Sequence, residues 1–179
     1  MSRIFTKNAI SNLKSTGTFF PSSRFLASKI SRLIPKDTQT IIELGAGNGA
    51  VTKSLLQHLN QAAQLSCYEI NQEFIKLLKQ NFDDTRLDIL ERSALEISND
   101  FSAGSVDAIV SCLPLTLFKN AMKQELMTAI HQALRPGGIF IQYQYSLNDR
   151  KFINQYFSHN KLKFVLRNAP PAFIYICRK

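Results

Sequence analysis

Acidic residues are missing from both ends of this 179-residue chain. Residues 1–36 carry seven Lys and Arg with no Asp or Glu, and residues 150–179 do the same. The body between them, 37–149, holds eight basic and all 13 acidic residues, so two +7 ends flank a −5 body within a net charge of +9. Such an asymmetry points to an anionic partner, nucleic acid or an acidic membrane surface, unless the basic residues merely solvate the surface. Cysteine is scarce. Cys67, Cys112 and Cys177 form an odd set without a CxxC pair, each inside an apolar run. That excludes a disulfide scaffold or a zinc ribbon and predicts reduced, buried thiols in a cytoplasmic protein, with no metal. No uncharged apolar run approaches the ~18–20 residues that span a bilayer. The basic N-terminus lacks a continuous apolar stretch, so no cleavable leader is expected. There is no internal repeat and no low-complexity segment. What is present, 45% apolar and 20% charged residues, fits one globular domain with a real core.

From residue 40 onward, short apolar runs alternate with helical patterns. Strands are predicted at 40–44, 65–68, 87–90, 106–112 and 139–145, and helices at 50–59, 72–81, 119–134 and 150–157. Arg135-Pro136-Gly137-Gly138 reads as a turn that stops the long helix. Two last strands, 163–167 and 173–177, have only Pro170-Pro171 between them, so they must pair antiparallel at one edge. Alternation of this kind predicts an α/β fold with a mostly parallel seven-stranded sheet and helices on both faces. Residues 1–36 are read as basic N-terminal helices and 37–179 as the catalytic domain.

The first strand runs into Glu43-Leu44-Gly45-Ala46-Gly47-Asn48-Gly49-Ala50-Val51-Thr52. The spacing is G-x-G-x-G, so this is not the dinucleotide fingerprint. Gly45 permits a tight turn, Gly47 a close approach of backbone to ligand, and Gly49 a helix start without a clashing Cβ. Glu43 is an acid at the end of an apolar strand and needs a cationic or hydrogen-bonding partner. The α-amino group of S-adenosylmethionine, direct or through water, would be one. Glu69 ends the second strand, 20 residues beyond Gly49, where it suits two ribose hydroxyls. Arg92-Ser93-Ala94 ends the third, where an adenine edge would be read. Together these features resemble the Rossmann-like class I S-adenosylmethionine-dependent methyltransferases over about residues 38–145. The expected cofactor set is Glu43, Gly45, Ala46, Gly47, Gly49, Glu69, Ile70, Ser93, Ala94, Ser111 and Leu113.

The fourth strand ends in Ser111-Cys112-Leu113-Pro114-Leu115. Base-amino methyltransferases carry Asn/Asp-Pro-Pro-Tyr/Phe here, with a polar side chain for the amine and an aromatic ring for a flipped base. This chain has Ser111 and Leu115 instead, which suits an alkyl amine near lipid, unless Leu113-Pro114-Leu115 only packs the loop. Upstream, Phe5, Ala9, Ile10 and Leu13 share a helical face flanked by Arg3, Lys7 and Lys14, although Ile4 lies off it. Such a helix can lie in an anionic interface, dock on the protein's own sheet, or bind RNA phosphates. Phe19 and Phe20, without a dense Arg run, point to membrane. Pro21, Ser22 and Ser23 then mark a helix start, with Phe25, Leu26, Ile30, Leu33 and Ile34 mostly core. Its N-terminal N–H groups, the Ser hydroxyls and Arg24 suit a phosphodiester.

The blocks Gly17-x-x-x-Pro21-Ser22-Ser23-Arg24-x-Leu26-Ala27, Glu43 to Thr52, Ser111-x-Leu113-Pro114-Leu115 and Asn168-x-Pro170-Pro171-Ala172 are similar to those of the bacterial phospholipid N-methyltransferase family, across nearly the whole chain. The resemblance implies stepwise methylation of phosphatidylethanolamine toward phosphatidylcholine by a monomeric enzyme associated peripherally with the inner face of the membrane. Ornithine-lipid N-methyltransferases look similar. Arg92-Ser93-Ala94 departs from the Gly-Asp-Ala common in the wider family. An RNA adenine N6-dimethyltransferase would explain the glycine loop and basic ends but not Leu115. A binding module without catalysis is the third reading.

Methyl transfer to an amine needs alignment, desolvation and loss of the ammonium proton. Tyr143 and Tyr145 alternate on one face of the fifth strand, at its C-terminal end. They are candidates for that proton path and for holding the cationic product, or they pack a helix. His131 reads as structural. His159 and Asn160 are placed before the sixth strand, and Asn168 is a head-group or loop-ordering candidate.

Overall fold

Apolar strands of five or six residues are buried on both faces, so the architecture follows from where their helices lie. The computed structural model describes residues 23–179. Its elements are α1 (Arg24–Ser31), β1 (Thr40–Leu44), α2 (Ala50–His58), β2 (Gln64–Tyr68), α3 (Gln72–Asn81), β3 (Leu87–Leu90), α4 (Ile97–Asp100), β4 (Val106–Ser111), α5 (Asn120–Ala133), β5 (Leu134–Gln144), α6 (Arg150–Tyr156), β6 (His159–Val165) and β7 (Ala172–Arg178). The amphipathic segment expected upstream, with Arg3, Lys7, Lys14, Phe19, Phe20 and Ser22, lies outside the described residues.

The sheet order is β3-β2-β1-β4-β5-β7-β6. The first five strands are parallel, and β7 runs antiparallel to both its neighbours. This is the Rossmann-like methyltransferase fold. Alternation along each strand divides the core in two. Ile41, Cys67, Val110 and Ile141 face one cluster with Leu26 and Ile30 of α1 and Leu55 of α2. Ile42, Leu44, Ile109 and Phe140 face the other with Leu126 and Ile130 of α5 and Ile153 of α6.

Several expectations are corrected. Arg135–Gly138 is not a turn between elements: helix α5 stops at Ala133 and the tetrapeptide bulges within β5, where five residue steps (Leu134 to Ile139) oppose two on β4 (Val106 to Ala108). Gly137 takes a positive φ of 75° there and donates its N–H to the Lys179 carbonyl at 2.8 Å. His159 and Asn160 belong to β6, which starts four residues before the predicted 163. Within the antiparallel pair it is β7 that enters the sheet and β6 that forms the edge. Composition explains the sorting: Ile174, Tyr175 and Cys177 of β7 are buried, whereas Lys161 and Lys163 keep the rim of β6 exposed, a common protection of sheet edges. Phe25 is not core; it is 59% exposed at the start of α1. All three cysteines are free thiols.

Candidate active site

The chain leaves β1 toward one side of the sheet and β4 toward the other, which opens a crevice beyond their carboxyl ends. A cleft open to solvent lies there. Gly45 and Gly47 form its floor, Glu69, Ile70 and Asn71 one wall, Arg92, Ser93 and Ala94 the next, and Cys112, Leu113 and Pro114 the far lip.

The glycine loop is held by backbone contacts. Gly45 donates its N–H to the Tyr68 carbonyl at 2.8 Å, with φ of 75°. A Cβ at Gly45 would sit 2.7 Å from Leu113 Cδ2, so the loop after β1 and the loop after β4 touch only because no side chain stands between them. Gly49, also at positive φ, has Phe82 in the space a Cβ would take, at 2.5 Å. Gly47 differs: nothing lies within 4 Å of the position its Cβ would take. Its N–H goes to Glu69 Oε2 at 2.9 Å. Glu69 Oε1 accepts from Ile70 N and Asn71 N, each at 2.8 Å. Three of the four lone-pair sites are taken, and the one left, on Oε2, can accept a hydroxyl donor; Glu69 lines the cleft. These residues fit S-adenosyl-L-methionine: an open glycine floor, a fixed carboxylate acceptor, and flat apolar walls.

Glu43 does not line the cleft. It is fully buried beneath the loop, and its partners come from the protein. Thr52 donates its hydroxyl to Glu43 Oε2 at 2.7 Å, and the Cys67 thiol donates at 3.2 Å. The Cys112 thiol lies 3.9 Å from Oε1. Thr52 and Cys67 thus supply the hydrogen-bonding partners that a carboxylate at this place needs. Burial pushes the Glu43 carboxyl up to about 7, opposed by those two hydrogen bonds. Burial, then the neighbouring Glu43, pushes the Cys112 thiol well up, so it faces the cleft as a thiol rather than a thiolate.

Ser93 caps the short 3₁₀ turn Ala94–Glu96, accepting from Leu95 N at 3.3 Å while Glu96 accepts from Ser93 N. Arg92 pairs with Asp100, which also accepts the Tyr68 hydroxyl at 2.8 Å. Ser111 is buried, and its hydroxyl accepts from Leu113 N at 3.4 Å, capping the Leu113-Pro114 turn. Gln142 pins the same turn through Nε2 to the Leu113 carbonyl at 3.0 Å. Leu115 enters the core, so the position that carries an aromatic ring in base-amino enzymes is unavailable for stacking here. Ala46 and Gly49 lie beside the floor and do not line it.

Tyr143 and Tyr145 stack edge to face with ring centroids 6.0 Å apart and pack against the core face that contains α1. They do not line the cleft. The Tyr145 hydroxyl is buried beside Asn168; burial pushes its pKa above the ordinary 10, Asn168 opposes this, and Cys112 adds to it. Tyr145 therefore keeps its proton at neutral pH. Asn168 is buried and ties two elements: its Oδ1 accepts from Ser23 N at 3.1 Å and its Nδ2 donates to the Pro170 carbonyl at 2.6 Å. Ser23 is the N-cap of α1, its hydroxyl accepting from Leu26 N at 3.2 Å, and Arg24 is exposed beside it. Phe74, Phe118 and Met122 also line the cleft, and the sequence reading missed them. Their signal was position: Phe74 sits in the first turn of α3 and Phe118 just past Leu115, both directly after strands that flank the crevice.

A family profile for the methyltransferase domain matches residues 41–138. The chain is 29% identical over 164 residues to an ornithine lipid N-methyltransferase of Singulisphaera acidiphila, covering 88% of this chain and 85% of that protein. It is 27% identical to ribosomal RNA small subunit methyltransferase A of Mycoplasma mycoides, covering 84% of this chain but only 60% of that protein. Among solved structures, precorrin-6y C5,15-methyltransferase of Geobacter metallireducens superposes with a TM-score of 0.69 at 16% identity, over 87% of this chain and 88% of that one.

Proposed function

Because the chain belongs to the methyltransferase-domain family and its cofactor is S-adenosyl-L-methionine, we propose that it transfers methyl groups to the amine head group of a membrane lipid, with phosphatidylethanolamine as the acceptor and phosphatidylcholine as the end product. The observation that carries this reading is the lip of the cleft. Leu113 and Pro114 present an apolar surface next to Cys112, and Leu115 is turned into the core. Nothing at that position stacks a base, whereas an alkyl chain bearing an amine meets a compatible wall.

When bound, S-adenosyl-L-methionine supplies an electrophilic sulfonium methyl to an uncharged amine. The chain's own residues do the rest. Gly45 and Gly47 let the backbone approach the ligand, and Glu69 accepts a hydroxyl donor while itself fixed by three N–H groups. Phe74, Leu113 and Phe118 exclude water, which strips the amine of competing solvation. Tyr143 and Tyr145, which pack with Cys112 against the same core face, are proposed on the acceptor side. A protonated Tyr145 serves there as a hydrogen-bond donor and its ring as a partner for the cationic product, not as an ionised base. Ser22, Ser23, Arg24 and Asn168 are proposed at the phosphate of the lipid, and Arg3, Lys7, Lys14, Phe19 and Phe20 at the anionic membrane surface. The protein is proposed to act as a monomer at the inner face of the membrane. Among the described residues no helix is long and apolar enough to cross a bilayer.

Ornithine lipid is the second reading, favoured by the name of the Singulisphaera acidiphila relative. An RNA adenine acceptor fits less well, because Leu115 is turned into the core and offers no ring at the end of the loop after β4. The test is a panel: labelled S-adenosyl-L-methionine offered with phosphatidylethanolamine vesicles, ornithine-lipid vesicles and total RNA in separate reactions. Label in the first supports the proposal, label in the second alone moves the acceptor to ornithine lipid, and label in RNA alone overturns both.

A further inference from the structure

Among the described residues five large apolar side chains stand exposed: Phe25, Leu117, Leu147, Phe164 and Leu166. Folding leaves single apolar residues scattered over most protein surfaces, yet these five share one end of the sheet. Leu117 follows β4 and Leu147 follows β5, so both lie where the parallel strands end. β6 is antiparallel to β7, which is antiparallel to β5, so β6 points the same way as β5 and delivers Phe164 and Leu166 to that end. Phe25 is brought there by the start of α1. Ser23 N donates to Asn168 in the β6–β7 connector, and the Arg167 guanidinium lies 5.7 Å from the Phe25 ring centroid. Leu166, at 73%, is the most exposed of the five. The opposite end of the sheet exposes no large apolar side chain among the described residues. The cleft opens on the same end as the five.

Beside β5 and β6 the charge of this rim is one-sided, whereas the exposed acids of the same end, Glu73 and Glu91, follow β2 and β3 on the far side of the cleft. Arg24, Arg150, Lys151 and Arg167 are exposed on it. From residue 126 to the C-terminus the single acid is Asp149, and it is buried against Lys123 at 2.6 Å. Apolar side chains interleaved with exposed cations match an anionic bilayer, whose interface buries the former and whose head groups neutralise the latter. A second copy of this chain would bring like charges together across a two-fold interface.

We propose that this rim docks on an anionic lipid bilayer, with Phe25, Leu117, Leu147, Phe164 and Leu166 entering the interface and the mouth of the cleft facing the head-group layer. The proposal rests on the lipid-acceptor reading for its biological sense; its own support is the placement of these side chains. The test compares the full chain with the triple variant Phe25→Ser/Leu147→Ser/Leu166→Ser and with Leu166→Ser alone. Binding is measured by flotation with vesicles of equal phosphatidylglycerol and phosphatidylcholine, and with pure phosphatidylcholine. Thermal melting and methyl transfer to phosphatidylethanolamine dispersed in detergent micelles are followed in parallel. The expected result is at least tenfold weaker flotation of the triple variant on the anionic vesicles, a smaller loss for Leu166→Ser, and unchanged melting and micellar transfer. Unchanged flotation of both variants overturns the proposal. So does a wild-type chain that sediments as a dimer which the triple variant abolishes while vesicle binding stays intact. If the wild type floats through this rim but methylates no lipid, the docking surface stands and the acceptor reading falls.

Discussion

Glu43 and Glu69 stand at the ends of neighbouring strands and have opposite surroundings. Glu43 is sealed beneath the glycine loop, and burial raises its carboxyl from the ordinary 4.5 to about 7. The native state therefore binds that proton more tightly than the unfolded chain. The stabilisation is complete below pH about 4.5 and is lost as pH rises through about 7. Glu43→Gln cannot ionise, so wild type should lose roughly 3 kcal/mol relative to the variant between those limits, measured by urea denaturation of both proteins across that range. A constant difference would contradict it. Glu69 by contrast opens on the cleft and fixes three backbone N–H groups. Glu69→Ala should leave the fold intact and weaken cofactor binding by ten- to a hundredfold, about 1–3 kcal/mol for the hydrogen bonds lost, read by titration calorimetry. Both acids stand out in the sequence as carboxylates at strand ends, but the partner of Glu43 does not. Cys67 faces it only through the register of β1 on β2, and Thr52 only through the first turn of α2, contacts between segments that no spacing rule reports.

At the scale of elements, one ion pair ties the helix that follows β4 to the loop that follows β5. Lys123 in the first turn of α5 meets Asp149 just before α6 at 2.6 Å, and both side chains are largely buried. Asp149→Ala leaves the lysine buried and uncompensated. It should cost about 3–5 kcal/mol and lower the melting temperature sharply. Replacing both partners with apolar residues should restore much of the loss, and failure to do so would show that Asp149 acts through something other than this pair. Parallel strands and their helices were legible because each carries a clean apolar pattern, and β1, α3 and β3 fall on their predicted bounds. Two features were not. The Arg135–Gly138 segment reads as a turn because Pro and Gly usually end elements, yet its bulge keeps β5 in the sheet, stitched to Lys179. The sequence likewise leaves open whether β6 or β7 is inner, and burial of Ile174 and Tyr175 decides it.

For the whole molecule, the charge imbalance read from composition acquires a location. Arg150, Lys151 and Arg167 of the C-terminal segment share a rim with five apolar side chains, and the cleft opens on that rim. An apolar lip, an open glycine floor and a one-sided charge beside β5 and β6 support the proposed reading of a methyltransferase that takes its amine from a lipid surface. The sequence pointed to the cofactor fold through the glycine loop and Glu69, while Phe74 and Phe118 became visible only when the walls of the cleft were assembled. The most direct measurement is the mass of lipid recovered after incubating the protein with S-adenosyl-L-methionine and anionic vesicles containing phosphatidylethanolamine. The account predicts successive one-methyl increments on the phosphatidylethanolamine head group, accumulating with time and absent without protein. Unmodified phosphatidylethanolamine, in a reaction where the same protein methylates RNA, would contradict it.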